Sequence, residues 1–282
     1  MDKRNILFIG GDERQLHCAS YLYRIGYEVS IIGFEKYAEI PSELMVFTNL
    51  KIAVILADVI ILPTPCMIDS VIFAPFSEKP LKEEVLLKNL DSEKIIFGGK
   101  YDVGFQKKLK EKHIRAYDFL KEEDILVQNA YLTAEGTVFK MMEMSKQALC
   151  GKRVLIIGFG RIAKNLCRIL AAFKMHIHIL ARKKSDLAWA KLLGCKGMQI
   201  HAVDSFEGYD FIINTVPVKL FKNTFFHKLQ TPVIDLAGVN EYSHYENYLR
   251  LPAVPGSFAP ESAGNILGEY VHRVLTEVRE DE

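Results

Sequence analysis

Several common signatures are missing from this sequence, and each absence narrows the class of protein. The chain has no G-x-S-x-G, no P-loop lysine and no HExxH, so nothing points to the sites that these motifs build. Its five cysteines are scattered, odd in number and form no CxxC pair: Cys18, Cys66, Cys150, Cys167 and Cys195. We therefore expect reduced thiols and a cytoplasmic protein.

Long apolar runs and an excess of one charge are missing as well. The 36 Lys and Arg against 35 Asp and Glu give a net charge of +1, which implies no general attraction to nucleic acid or to a membrane surface. The most apolar segment, IAVILADVIILP, contains Asp58 and is too short for a membrane helix. The amino terminus enters a strand almost at once, without the apolar core of a signal peptide.

A metal site is not indicated either. His176 and His178 alternate on one face of a predicted strand, as two metal ligands would. No cysteine or carboxylate accompanies them at a suitable spacing. We interpret them as ordinary strand residues and expect no metal.

What the sequence does contain is an alternation of short β-branched runs with longer amphipathic segments. Strands are predicted at 5–10, 28–34, 57–63, 93–99, 113–119, 153–158, 175–180, 198–202, 210–217, 231–237 and 251–256. Helices are predicted at 14–25, 133–149 and 260–280. This order is typical of parallel sheets with helices on both faces. The 282 residues therefore suggest an α/β protein with two doubly wound, Rossmann-like domains.

The helix predicted at 133–149 divides the chain. Thr133 is a plausible N-cap for it, with Glu135 in the first turn. We expect a flavodoxin-like, substrate-binding domain over residues 1–130 and a cofactor domain over 131–256. The last part, 257–282, would be a helix that returns to the first domain, because an apolar stripe along it needs cover.

A cofactor fingerprint opens the second domain. The segment GFGRIA at 158–163 fits G-x-G-x-x-G/A, follows an apolar strand and begins a helix, which is the context that the motif requires. The first glycine allows the tight turn, the second allows a pyrophosphate to approach, and the helix N-terminus favours its charge. The expected contacts are Gly158, Phe159, Gly160, Arg161 and Ile162.

The next strand ends in an unusual way for an NAD site. An acid about 20 residues beyond the glycines usually binds the adenosine ribose, but Ala181 is followed here by Arg182, Lys183 and Lys184. Cations at this place would pair with a 2′-phosphate. Arg182 and Lys183 therefore favour NADP over NAD.

Two further segments leave alternatives open. Residues 214–217, Asn214, Thr215, Val216 and Pro217, end a strand at the carboxyl edge, where ligands bind in open α/β sheets. They either contact the nicotinamide side or form a plain turn. The turn GGDERQ at 10–15 is not a dinucleotide fingerprint. It is either a capped turn or a site at which Arg14 binds a carboxylate bidentately.

Four segments taken together resemble one family, the dipicolinate synthase A subunits of spore-forming bacteria. They are GGDERQ (10–15), NAYLTAEGT (129–137), IIGFGRIA (156–163) and VPGSFAPESAGNIL (254–267). The resemblance covers essentially the whole chain. Ser262 stands where the family pattern has Thr, and the loop from Gly238 to Glu241 lacks the serine and glycines of the pattern.

The resemblance implies a fold similar to formate and glycerate dehydrogenases. It also implies an NADP-dependent oxidation of a dihydro- or tetrahydrodipicolinate precursor, on a branch of the lysine pathway, to pyridine-2,6-dicarboxylate during sporulation in the mother cell. A flavoprotein-like B subunit would be the partner. Self-association through the 133–149 helix is expected by analogy.

A cyclic dicarboxylate substrate needs a cation or N–H partner for each carboxylate, and oxidation needs a base. Arg14 and the helix starts near residues 133 and 262 offer the partners, and the base is either Asp12 or Glu135. The expected substrate and catalytic residues are Asp12, Arg14, Thr133, Glu135, Gly136 and Ser262.

Two other functions fit the same scaffold. A 2-hydroxy-acid dehydrogenase is one, although residues 254–260 contain no histidine to take the hydroxyl proton. A non-catalytic NADP-binding subunit that activates a flavoprotein partner is the other.

Overall fold

A computed structural model of the protein describes residues 4–202, 205–221, 229–239 and 245–281. Its strands are β1 (Asn5–Ile9), β2 (Glu28–Ile32), β3 (Met45–Val46), β4 (Val59–Ile61), β5 (Met67–Ile68), β6 (Val71–Ile72), β7 (Ile95–Gly98), β8 (Arg115–Asp118), β9 (Arg153–Ile157), β10 (His176–Ala181), β11 (Lys196–Gln199), β12 (Phe211–Asn214), β13 (Val233–Asp235) and β14 (Tyr248–Arg250). Its α-helices are α1 (Glu13–Arg24), α2 (Leu50–Leu56), α3 (Glu83–Lys88), α4 (Val103–Glu111), α5 (Glu123–Met144), α6 (Arg161–Ala172), α7 (Lys184–Leu192), α8 (Val254–Phe258) and α9 (Pro260–Asp281).

The chain forms two compact units. The first unit comprises Met1–Leu126 together with Pro260–Glu282, and the second comprises Val127–Ala259. Each unit is built on a six-stranded parallel sheet whose two faces are covered by separate apolar clusters. Burial on both faces explains why strands such as β9 read as almost continuous apolar runs.

The two sheets share one strand order. The first is β3-β2-β1-β4-β7-β8 and the second is β11-β10-β9-β12-β13-β14, which is the doubly wound order 3-2-1-4-5-6. The predicted α/β fold with two Rossmann-like sheets is confirmed. Without the two-residue edge strand β3, the first sheet has the order β2-β1-β4-β7-β8, which is the 2-1-3-4-5 order of flavodoxin-like sheets. In both units the order reverses beside the first strand, and the crevice at that place is where ligands bind in such sheets.

Ten of the eleven predicted strands overlap an observed strand. The eleventh, at 251–256, is wrong. Residues 254–258 form the short helix α8 instead, with Pro255 near its start, where a proline costs no hydrogen bond. The last strand of the sheet, β14, lies just before it.

The helix predicted at 133–149 is also placed wrongly. It begins ten residues earlier, at Glu123, and ends at Met144. Thr133 is therefore an interior residue and not an N-cap, and its hydroxyl donates to the carbonyl of Asn129 at 2.7 Å. Since only the first turn of a helix has free N–H groups, the backbone near Thr133 offers no anion site of the predicted kind.

Helix α9 packs against α1 in the first unit. Leu267, Tyr270, Val271 and Leu275 are buried in the same cluster as strand β1. The two helices approach closely because α9 has glycine at the contact. A Cβ on Gly264 would lie 2.6 Å from the Arg14 carbonyl oxygen and 2.6 Å from the His17 Cβ.

This close approach predicts a stability effect at Gly264. A Gly264→Ala substitution forces the backbones of α9 and α1 apart, and overpacking of this kind costs about 1–3 kcal/mol of the free energy of unfolding. Urea unfolding of the full chain measures it. Gly104→Ala in α4 is the control, because its Cβ would meet only the flexible carboxylate of Asp102 at 3.1 Å. Equal stability of the Gly264 variant and the unmodified protein would contradict the packing role.

Candidate cofactor and substrate sites

The turn between β9 and α6 gives its two glycines different roles. Gly158 has φ +98°, and a Cβ there would lie 2.5 Å from the Thr215 Oγ1 and 2.8 Å from the Val216 Cγ2. This position requires glycine for the fold itself. A Cβ on Gly160 would meet nothing within 4 Å. Gly160 therefore faces open space at the start of a helix.

That open space fits the pyrophosphate of a dinucleotide. Gly160 is the N-cap of α6 and makes no side-chain cap hydrogen bond, so the first turn of the helix keeps N–H groups and positive partial charge for an anion. Ala163 is fully buried, which allows α6 to lie against the sheet. Phe159 is buried and the Lys164 ammonium lies 5.7 Å from its ring centre. Arg161 is exposed and Ile162 is half-buried.

The end of β10 lies beside this turn. The Gly158 N–H donates to the Leu180 carbonyl at 2.8 Å, two residues before Arg182. The side chains of Arg182 and Lys183 are exposed. In the part of the chain that the structure describes, neither has a hydrogen-bond or ion-pair partner. These two positively charged side chains thus lie at the strand end that normally contacts the adenosine ribose, and they are available to a ligand.

The polar side chains at the end of β12 form hydrogen bonds within the protein. The Thr215 N–H and hydroxyl both donate to the Ile157 carbonyl, at 3.0 and 2.8 Å. The Asn214 Nδ2 donates to the Asp235 Oδ1 at 2.8 Å, and its Oδ1 accepts from the Val216 N–H at 3.1 Å. Backbone atoms, the half-buried Val216 and the exposed Pro217 remain for a ligand.

Asp235, at the end of β13, was not predicted from the sequence. It is fully buried and accepts from Asn214 Nδ2, from the Ala237 N–H at 3.1 Å and from the Val239 N–H at 2.7 Å. This carboxylate therefore joins the ends of β12 and β13 at the carboxyl edge. Its signal in the sequence is a lone acid that ends an apolar strand. Asn240 and Glu241, in the loop that departs from the family pattern, lie outside the described residues.

The turn at 10–15 in the first unit is a capped helix start. The Asp12 Oδ1 accepts from the Arg14 N–H at 3.1 Å, and the Gln15 Oε1 accepts from the Asp12 N–H at 3.0 Å, which is a capping box. The guanidinium of Arg14 is held bidentately by Asp12, with Nε–Oδ1 at 2.9 Å and Nη2–Oδ2 at 2.8 Å. Nη2 also donates to the Thr64 carbonyl at 3.2 Å. The fork that was expected to bind a substrate carboxylate thus has an internal partner.

The two glycines of this turn accommodate another backbone. The Gly11 N–H donates to the Phe73 carbonyl at 2.8 Å, and a Cβ on Gly10 would lie 2.6 Å from the Ala74 Cβ. Gly10 thus corresponds to Gly158, which is crowded in the same way. The N-cap position that Gly160 has in the second unit is taken here by Asp12, so this turn lacks the second glycine of a dinucleotide fingerprint.

The remaining predicted site residues lie in different surroundings. Glu135 accepts a hydrogen bond from Tyr131 one turn earlier in α5, which raises the pKa of the tyrosine hydroxyl. Gly136 is a packing residue, because a Cβ there would lie 2.5 Å from the Val254 Cγ1. Ser262 is exposed in the first turn of α9.

The two strand histidines have ordinary surroundings. The His178 Nδ1 lies 2.8 Å from the Tyr209 hydroxyl, and burial lowers the pKa of this histidine. Within the described ranges, no group of three or more His, Cys, Asp or Glu side chains could hold a metal ion. None of the helices described is both long enough and apolar enough to cross a bilayer.

Two family models match the chain, one for each part. Residues 5–120 match the N-terminal domain of the dipicolinate synthase A subunit, and residues 124–230 match the NAD binding domain of D-isomer specific 2-hydroxyacid dehydrogenases. The dipicolinate synthase A subunit of Bacillus subtilis (strain 168) is 26% identical over 98% of this chain and 97% of its own length. The chain is similar to a dipicolinate synthase A subunit from end to end. The resemblance found in the sequence is confirmed.

Solved structures agree at the level of the fold. The dipicolinate synthase A subunit from Bacillus halodurans gives a TM-score of 0.84 at 24% identity, over 96% of this chain and 97% of that one. Its counterpart from Bacillus subtilis gives the same TM-score and identity over 100% and 99%. An L-alanine dehydrogenase gives 0.61 at 14% identity, over 95% and 90%. The likeness to these synthase chains, with the dehydrogenase-type NAD binding domain, supports an oxidoreductase that uses a nicotinamide cofactor.

Proposed function

We propose that this chain is the A subunit of a dipicolinate synthase. It oxidises a dihydro- or tetrahydrodipicolinate precursor to pyridine-2,6-dicarboxylate with NADP, in the mother-cell cytoplasm of a sporulating bacterium. The observation that carries the proposal is the open space beside Gly160 at the uncapped start of α6, in a chain that resembles a dipicolinate synthase component over 98% of its length.

The second unit holds the cofactor. The first-turn N–H groups of α6 bind the pyrophosphate, and Arg182 and Lys183 bind the 2′-phosphate by charge-assisted hydrogen bonds. The backbone and apolar side chains at 216–217 line the nicotinamide side. When bound, NADP would accept one hydride from a dihydro precursor, and a tetrahydro precursor would need two NADP in turn. The protein would position the substrate and remove one proton for each hydride.

The first unit grips the substrate through Arg14. Asp12 and Thr64 use the Nε and Nη2 donors, which leaves the two N–H groups of Nη1 for a substrate carboxylate. A dicarboxylate stripped of water needs such a partner. The exposed hydroxyl of Ser262, in the same unit, is a further donor.

Of the two candidate bases, we assign the role to Glu135, whose carboxylate has fewer hydrogen bonds than that of Asp12 among the described residues. Asp12 already accepts from the backbone and side chain of Arg14, so both of its carboxylate oxygens are used at the helix start. Glu135 accepts from Tyr131 and retains lone pairs for a substrate proton. Close to Glu135, Gly136 packs α5 against Val254, and Thr133 bonds within α5 to the Asn129 carbonyl.

Two features bear on the alternatives. The match to the NAD binding domain of 2-hydroxyacid dehydrogenases favours oxidation of a substrate by a nicotinamide cofactor. Residues 254–260 contain no histidine that could take the hydroxyl proton of a 2-hydroxy acid. In the second alternative, the chain would bind NADP without catalysing a reaction and would activate a B subunit. We also propose that the chain self-associates, since α5 carries exposed Tyr131, Phe139 and Met142.

One experiment separates these functions. Purified chain, precursor and NADP are mixed with and without a B subunit, and the ultraviolet absorbance of dipicolinate is followed. Formation of dipicolinate by the chain alone supports the proposal. Formation only when B is added assigns the non-catalytic role, and turnover of 2-hydroxy acids in place of the precursor supports the dehydrogenase alternative.

The choice of cofactor gives a separate prediction. Calorimetry should show tighter binding of NADP than of NAD. Arg182→Ala should weaken NADP binding by about 1.5–3 kcal/mol, because it removes a charge-assisted contact to the 2′-phosphate, and should change NAD binding little. Arg168→Ala, an exposed arginine on α6, is the matched control. Equal affinity of the unmodified chain for the two cofactors would overturn the assignment.

A further inference from the structure

The start of α1 contains a buried donor without an acceptor. Gln15 is 1% exposed, and among the described residues its Nε2 has no hydrogen-bond partner. A buried polar group left unpaired costs about 1–3 kcal/mol. The oxygen of the same amide, Oε1, has a partner: it accepts from the Asp12 N–H and completes the capping box.

The geometry of the turn fixes where this amide lies. A Cβ on Gly11 would be 2.5 Å from the Gln15 Oε1 and 2.6 Å from its Cδ. The amide is thus at the N-terminus of α1, at the carboxyl end of β1. It lies beside the reversal of strand order between β1 and β4, where open α/β sheets bind ligands.

The neighbouring residue supplies a second set of donors. The Nη1 of Arg14 has no partner in the part of the chain that the structure describes, and the side chain of Arg14 is 12% exposed. Asp12, which holds the rest of the guanidinium, is 26% exposed. A second carboxylate can therefore bind at Nη1 while Asp12 keeps the other donors of the guanidinium.

A third polar atom on the adjoining helix is also unpaired. The Oδ1 of Asn265 is buried and, within the described ranges, has no hydrogen-bond partner. The preceding residue, Gly264, packs against the Arg14 carbonyl. Asn265 is therefore a second unpaired amide on a helix that packs against α1.

We propose that Gln15 is a substrate-recognition residue, whose Nε2 donates to a carboxylate of the ligand that Arg14 binds. The carboxylate binds the Nη1 of Arg14, while Asp12 keeps Nε and Nη2. The ligand class is a small cyclic dicarboxylate. This inference rests on the proposed function and adds to it the residues that select the substrate.

A single substitution separates recognition from capping. Gln15→Glu keeps the oxygen that accepts from the Asp12 N–H, as Glu does in a standard capping box. It removes both Nε2 hydrogens and adds a negative charge. Gln15→Met removes the donor and the cap together. Gln147→Glu, where the Oε1 accepts from Lys152 at 3.1 Å in the second unit, is the matched control for the change of charge.

The test is calorimetric binding of pyridine-2,6-dicarboxylate to the full chain in saturating NADP, with the melting temperature measured for each variant. We expect Gln15→Glu to bind the probe about 10- to 100-fold more weakly, the loss of one hydrogen bond to a charged group. It should also melt somewhat lower, because its carboxylate is buried. Gln15→Met should lose binding to a similar degree and melt lower. Gln147→Glu should match the unmodified chain in both.

Other outcomes overturn the inference. If Gln15→Glu binds the probe normally, the amide donor plays no part in recognition, whether or not the melting temperature falls. If the unmodified chain with NADP does not bind the probe, the proposed function itself fails, and the role of Gln15 falls with it.

Discussion

Replacement of Gly160 by glutamate should abolish NADP binding and leave the fold intact. The Cβ of the new side chain enters open space, so no atom of the protein has to move. Its carboxylate then stands where the pyrophosphate would lie, and like charges brought together cost several kcal/mol. We expect the dissociation constant for NADP to rise at least about 100-fold, with a melting temperature within about 2 °C of the unmodified protein.

The control for this prediction is the other glycine of the turn. Gly158→Ala places a Cβ 2.5 Å from the Thr215 Oγ1 at a backbone φ of +98°, so it should lower the melting temperature itself. If Gly160→Glu also unfolds the protein, Gly160 has a structural role. If it binds NADP normally, the cofactor site lies elsewhere.

Replacement of Arg14 by alanine should abolish formation of dipicolinate while NADP affinity stays within a few-fold. Loss of one partner of a desolvated charge pair costs about 2–5 kcal/mol, so turnover should fall by about 30-fold or more. Arg14→Lys should fail almost as badly. A lysine has a single charged nitrogen, whereas the planar fork serves Asp12, Thr64 and the ligand together.

Arg24→Ala tests whether any loss at Arg14 is specific. Arg24 is exposed in the last turn of the same helix, so its removal should leave turnover and stability unchanged. Near-normal precursor binding and dipicolinate formation in Arg14→Ala would show that the turn at 10–15 is purely structural. A fall in melting temperature would then measure the contribution of the Asp12–Arg14 pair to the helix start.

The fold could be predicted because it depends on local patterns. Apolar strands such as β9 and β10 alternate with amphipathic segments at the spacing of doubly wound sheets. The errors have a common origin in tertiary packing. Thr133 looks like an N-cap, yet α5 is apolar over much of its length and continues on both sides of that residue. The segment at 251–256 has an apolar, strand-like composition, and its Pro255 fits a helix start equally well.

The cofactor turn could be predicted for the same reason, since its glycines act on their own backbone. The substrate side could not. The sequence shows Asp12 and Arg14 two residues apart but not that the carboxylate holds the guanidinium. It gives no sign that Asp235 is fully buried or that the Gln15 Nε2 is unpaired among the described residues. The pairing of Asp12 with Arg14 depends on side-chain orientation, and the burial of Asp235 and Gln15 depends on neighbours distant in the chain.

The return of α9 to the first unit has a consequence for synthesis on the ribosome. The apolar cluster around β1 includes Leu267, Val271 and Leu275, which are translated more than 250 residues after Phe8. The second unit is continuous, from 127 to 259, and has all its parts before those residues emerge. Since domains generally fold as units, the amino-terminal unit cannot complete its core until α9 has been translated and has left the exit tunnel.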